Sequence, residues 1–193
     1  MAQGFLSTLR EYIRLTEAGE ILRRYLLINS FDGAMATLGV ISGLRMSGSA
    51  DTWTVLITCI NSSIAMGISG FAGTFLVEKA ERERELTDME RELFMDLDDS
   101  ILGKASRAVT ILSAFVDSLS PLMSSLIILL PYITAPFLGL PMEYCFLSSF
   151  VLAVVLLFVL GYYLGKISNR GKILQYALIT TSAGLLVGLI SIL

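Results

Sequence analysis

The run WTVLITCINSSIAMGISGFAGTFLV, residues 53–77, passes without a break into EKAERERELTDMERELFMDLDD, residues 78–99. The first part holds no charged residue and exceeds the ~20 apolar residues that a helix needs to cross a bilayer. The second part holds no Pro or Gly and is rich in good helix formers. Together they predict a spanning helix that continues as a charged helix outside the hydrocarbon.

Four further stretches have spanning length: residues 25–46, 108–133, 141–165 and 172–193. The composition agrees, because hydrophobic residues make up 54% of the chain and charged residues 16%. Soluble domains carry roughly 25% charged residues, so this chain is short of groups to cover a wet surface. The expected fold is all-α and polytopic, with five transmembrane helices. Residues 1–24 place Leu6, Leu9, Ile13, Ile21 and Leu22 at helical spacing, with Arg10, Arg14, Arg23 and Arg24 elsewhere on the turn. That pattern predicts an amphipathic helix at the membrane surface and not a signal peptide. The expected order is therefore an interfacial helix at 1–24, spans 1 and 2 at 25–77, a cytoplasmic acidic helix at 78–107 and spans 3 to 5 at 108–193. PYITAPFLGLP, residues 131–141, holds three of the four prolines and reads as a turn.

Lys and Arg set the orientation. Successive loops hold four, one, six, none and three of them, which accounts for all fourteen. The expected protein lies in the cell membrane with its N-terminus and acidic helix cytoplasmic and its C-terminus outside. The net charge of −3 offers no field to attract nucleic acid. With no histidine in the chain, Ser-His-Asp and Cys-His catalysis are excluded, and no other catalytic motif appears, so no enzyme is expected. Cys59 and Cys145 lie far apart in apolar stretches and read as inert thiols.

Ionisable groups inside a span are expensive and mark candidate sites. Asp32 lies in NSFDGAMATLGVISGL, residues 29–44, beside Asn29, Ser30 and Gly33. A carboxylate with nearby oxygens suits a divalent cation or a proton. In the second span Asn61, Ser62 and Met66 are spaced to share a face, and a thioether there favours a transition metal. Asp117 is a second intramembrane acid, four residues before Pro121. Beyond the second span, Glu78, Glu81, Glu85, Asp88, Glu92, Asp96 and Asp99 recur at spacings of three and four, forming one acidic stripe suited to collecting cations. GxxxG pairs at Gly39/Gly43, Gly161/Gly165 and Gly184/Gly188 permit close helix contact.

These segments, in this order, resemble the vacuolar iron transporter family. NSFDGAMATLGVISGL is similar to its first span, SIAMGISGF (residues 63–71) to its second, and AFVDSLSPLMSSLIILLPYI (residues 114–133) to its third, with LGYYLGK (residues 160–166) following. The resemblance covers about residues 25–193 and points to a divergent prokaryotic branch. It implies a homodimer that exports Fe²⁺ or Mn²⁺ from the cytosol in exchange for protons, along a pathway between protomers, with no permanent cofactor. It assigns Asp32 and Met66 to the pathway and Glu81 to metal collection; Glu78, Glu85, Asp88 and Glu92 follow by analogy. Two positions depart from the family: its second-span Gly-Glu-Phe is Ser69-Gly70-Phe71 here, and Asp117 stands where it carries a small residue. The alternative is a membrane protein that senses or stores cations, or scaffolds partners, without transport.

Overall fold

The computed structural model describes residues 11–14, 16, 18–48, 51–168 and 171–190. Among them there is no strand, and five long helices follow in order: α1 Ala18–Met46, α2 Thr52–Leu93, α3 Ile101–Leu138, α4 Met142–Ser168 and α5 Ile173–Ile190. By length and composition α1 to α4 can each cross a membrane, while α5 is a shorter apolar helix. Much of the expected interfacial helix at 1–24 lies outside the described residues. Residues 11–14 are helical, and residues 18–24 are the first turns of α1, in one helix with the first span.

The α2 reading holds in its main point: one helix of 42 residues carries both the apolar run and the first part of the charged run. The charged helix expected over 78–107 is nevertheless broken at 94–100. Phe94 takes a left-handed backbone (φ 52°) and Met95 N donates to Glu90 O at 3.3 Å, the bond that closes a Schellman helix end. Side chains then compete for the backbone: Glu90 accepts from Leu97 N, Asp96 accepts from Asp98 N, and Ser100 Oγ accepts from Gly103 N as the cap of α3. The break thus comes from Asp and Ser chemistry, without the Gly or Pro that would have announced it.

The proline turn also falls later than expected. Pro131 and Pro136 lie inside α3, and the chain reverses only at Gly139 (φ 61°), where Leu140 N donates to Ala135 O at 3.3 Å. An interior proline loses one hydrogen bond, and the side-chain bonds nearby, from Thr134 Oγ1 to Leu130 O at 3.0 Å and Pro131 O at 3.2 Å, run back along the helix and do not draw the backbone out of it. At the other reversal, Asp51 caps α2 by accepting from Thr54 N at 2.7 Å.

The chain forms two compact units, Met1–Leu26 with Ile68–Leu119, and Leu27–Gly67 with Ser120–Leu193. In the first, Phe71 stacks along α2 with Phe75 (centroids 6.2 Å) and meets Phe115 of α3 edge-on at 5.2 Å. In the second, Ala34, Leu38, Ile41, Val55, Cys59, Ile128, Leu129, Tyr132, Cys145 and Leu157 form a buried core. Both cysteines are free and buried. Gly33 lets α1 touch α3, because a Cβ there would fall 2.5 Å from Pro121 Cα. Four residues on, Thr37 Oγ1 donates to Ser125 Oγ at 2.9 Å. Gly161 and Gly165 press on Ala177 and Ile173 of α5, and Gly184 and Gly188 receive Leu157 and Phe150 of α4. Two of the three GxxxG pairs are therefore consumed inside the protomer. Gly39 and Gly43 meet nothing within 4 Å and lie on an exposed face of α1.

Candidate functional site

In the first unit, three charged groups are inside. Glu78, Arg82 and Asp117 are 3%, 6% and 5% exposed. Positions 74, 78 and 82 follow one face of α2, so Thr74, Glu78 and Arg82 are buried together. Arg82 Nε donates to Glu78 Oε2 at 3.2 Å, and Tyr25 Oη donates to Glu78 Oε1 at 3.0 Å. The two opposite charges cancel, and the tyrosine fills a remaining lone pair, as a desolvated carboxylate requires.

Glu78 therefore leaves the collecting stripe that the sequence suggested. Its oxygens hold Arg82 and Tyr25, while Glu81, Glu85, Asp88 and Glu92 remain exposed. Even these are not all idle: Asp88 lies 3.9 Å from Arg84 and 3.6 Å from Arg91. Such exposed pairs are worth ~0–1 kcal/mol and yield readily to a stronger ligand. Asp96 and Asp99 sit in the turn between α2 and α3, off the α2 face.

Asp117 and Gly70 form the closest fit in this unit. A Cβ built on Gly70 would lie 2.5 Å from Asp117 Oδ2. The carboxylate from α3 thus occupies the space where a side chain at position 70 would begin. One turn before it, Ser113 Oγ is buried with no hydrogen-bond partner. Ser106, Thr110, Ser113 and Asp117 recur every three or four residues and are all buried, so the inward face of α3 is polar where an ordinary span would be apolar.

The second unit holds the other predicted residues. Asp32 and Asn61 are exposed, and Asn29 and Met66 are half-buried. Asp32, Gly39 and Gly43 are spaced by seven and four and share the uncovered face of α1. Asp32 is thus not enclosed by its own chain. Arg45, an isolated basic residue in the sequence, pairs with Glu143 at 2.8 Å and lies 3.9 Å over the Phe146 ring. Among the described residues, no group of three or more His, Cys, Asp or Glu is arranged to hold a metal ion.

Tyr25, Arg82 and the role of Gly70 were not singled out from the sequence. The four-residue spacing of Thr74, Glu78 and Arg82, matched by the spacings of four, three and four in Ser106, Thr110, Ser113 and Asp117, was readable there as a polar face. Tyr25 gave no local signal, because its partner is 53 residues away.

These features define an all-helical protein whose long apolar helices suit a membrane and whose interior carries charged and hydroxyl side chains. The chain belongs to the family of the Methanocaldococcus jannaschii protein described as "Uncharacterized protein MJ0645". The two are 31% identical over 160 residues, covering 81% of this chain and 80% of that one. No family model matches the chain, and no solved structure matches it significantly.

Proposed function

We propose that this protein is a divalent transition-metal transporter that exports Fe²⁺ or Mn²⁺ from the cytosol in exchange for protons. It works as a homodimer with five spans, the N-terminus cytoplasmic and the C-terminus outside the cell membrane. The fifth span is α5, whose 18 residues extend about 27 Å, within the mismatch a bilayer tolerates.

The observation that carries this reading is the fit of Asp117 over Gly70. The resemblance family carries a glutamate at the position of Gly70, and here a carboxylate from the neighbouring helix occupies that volume. The acid has changed helices while its place has been kept. In this reading Asp117 is the proton-bearing group.

The metal is held elsewhere. Asp32 supplies a charged oxygen on an uncovered face beside Gly39 and Gly43, where a second copy of α1 can approach closely. Two copies double the ligand count that one protomer lacks. Asn29 and Asn61 offer amide oxygens, and Met66 offers a soft sulfur that favours Fe²⁺ or Mn²⁺ over Ca²⁺ or Mg²⁺. Glu81, Glu85, Asp88 and Glu92 gather cations at the cytoplasmic mouth. Because a carboxylate must be ionised to ligate, protons arriving from outside drive release there.

The test is Fe²⁺ and Mn²⁺ flux into proteoliposomes containing a metal-sensitive dye, under an imposed pH gradient. Wild-type flux should follow the gradient, and Asp32→Asn should lower it at least about ten-fold, the equivalent of one lost charged ligand worth ~1.4 kcal/mol. Undiminished flux through Asp32→Asn would sink the assignment of the pathway. Metal binding without flux would turn the reading to a cation sensor or store.

A further inference from the structure

The first unit holds a cavity of about 330 Å³ between the charged half of α2 and the start of α3. Phe75, Leu86 and Ile111 give it apolar walls, Ser106 and Thr110 give hydroxyls, and Lys79, Arg82 and Arg107 bring three cations against one acid, Glu83. Its position along the helices is informative. No charged residue occurs on α2 from Thr52 to Val77, and Asp117 is the only one on α3 from Ala108 to Leu138. Lys79 and Arg107 are therefore the first cations met as each helix leaves its apolar stretch. That is the level of lipid headgroups.

The three cations are presented in different ways. Arg82 is 6% exposed and gives its Nε–H to Glu78, while its terminal amino groups make no hydrogen bond to another described residue. Glu78 balances its charge, and the N–H donors left over line the cavity in a fixed position from which an oxyanion can accept. Arg107 is anchored at the rim by donating Nη2 to Asp98 O at 2.7 Å and lies 3.9 Å from the Asp98 carboxylate, an exposed pair that gives way at little cost. Lys79 reaches Glu83 at 3.6 Å through an exposed pair, which gives way at little cost.

We propose that this cavity is a binding site for an anionic phospholipid, with the headgroup phosphate at Arg82, Arg107 and Lys79 and an acyl chain along Phe75 and Ile111. A soluble phosphate would use the cations and leave the apolar wall wet. Each cation has one acid beside it, Glu83, Glu78 or Asp98, but Glu83 alone lines the cavity, so a zwitterionic lipid would bring its own cation against a lining in which cations outnumber acids. An anionic amphiphile satisfies both halves of the lining, as basic pockets at the cytoplasmic ends of spans do. This site is independent of the transport reading.

Native mass spectrometry of the full-length protein in mild detergent, with phosphatidylglycerol and phosphatidylcholine at equal concentration, tests it. The wild type should retain phosphatidylglycerol preferentially. K79Q/R107Q changes only rim residues and should lower that preference by about 25-fold, taking about five-fold for each cation. Glu83→Gln should shift it the other way, by up to about five-fold, a gain that misfolding cannot mimic. Equal retention of the two lipids by the wild type, or an unchanged preference in K79Q/R107Q, overturns the proposal. Displacement of phosphatidylglycerol by millimolar inorganic phosphate also overturns it, by making the ligand a free anion.

Discussion

Gly70→Ala tests whether the Asp117 carboxylate occupies the space that Gly70 leaves open. The added carbon would lie 2.5 Å from Asp117 Oδ2, roughly 0.8 Å inside an ordinary C···O contact of about 3.3 Å. The carboxylate has no solvent to retreat into at 5% exposure, and α2 is tied to α3 there by the Phe71–Phe115 contact at 5.2 Å. Overpacking of this kind costs about 1–3 kcal/mol, and a carboxylate pushed off a buried partner adds about 1–3 kcal/mol. Gly70→Ala should therefore destabilise by about 2–6 kcal/mol. In an Asp117→Ala background the obstacle is gone, and the same change should stabilise by up to about 1 kcal/mol, the helix-propensity gain of Ala over Gly. Reversible SDS unfolding followed by circular dichroism measures all four corners of the cycle. If Gly70→Ala has the same effect in both backgrounds to within about 0.5 kcal/mol, the two residues do not share that volume and the argument fails.

Two further predictions concern the first unit. Glu78→Ala leaves the Arg82 guanidinium buried without its counter-charge and should cost about 3–5 kcal/mol in the same unfolding assay, whereas Glu81→Ala, on the exposed side, should change stability by less than about 0.5 kcal/mol; equal effects would contradict the burial of the pair. Phe94 ends α2 with a φ of 52° and is 93% exposed. Phe94→Gly should relieve about 1 kcal/mol of left-handed strain, and a lowered unfolding midpoint would show that the phenyl ring has a partner of its own.

Much of the fold could be read along the chain. The long helix α2 follows from an uncharged run of spanning length joined to a charged run that itself holds no Gly or Pro. The apolar stretches that became α1, α3 and α4 follow from length and composition. The helix ends were less legible. Phe94 stops α2 in a sequence of helix formers, and Pro131 and Pro136 fail to stop α3. Both outcomes depend on which hydrogen-bond partners compete for the backbone nearby, and propensity does not include them.

For the site, the sequence by itself determined which groups are chemically unusual: acids at 32 and 117 inside apolar runs, a methionine among small polar residues at 66, and a periodic acidic helix. Only the tertiary structure decided what each one meets. It turned Glu78 inward onto Arg82 and Tyr25 while leaving Glu81, Glu85, Asp88 and Glu92 exposed. It used up two glycine pairs within the protomer and left Gly39 and Gly43 open beside Asp32. It set Asp117 into the space at Gly70, 47 positions earlier in the chain. The physical reason is one of range. Composition and periodicity act over a few turns of one helix, whereas the neighbour of a side chain on another helix is set by packing between residues far apart in sequence.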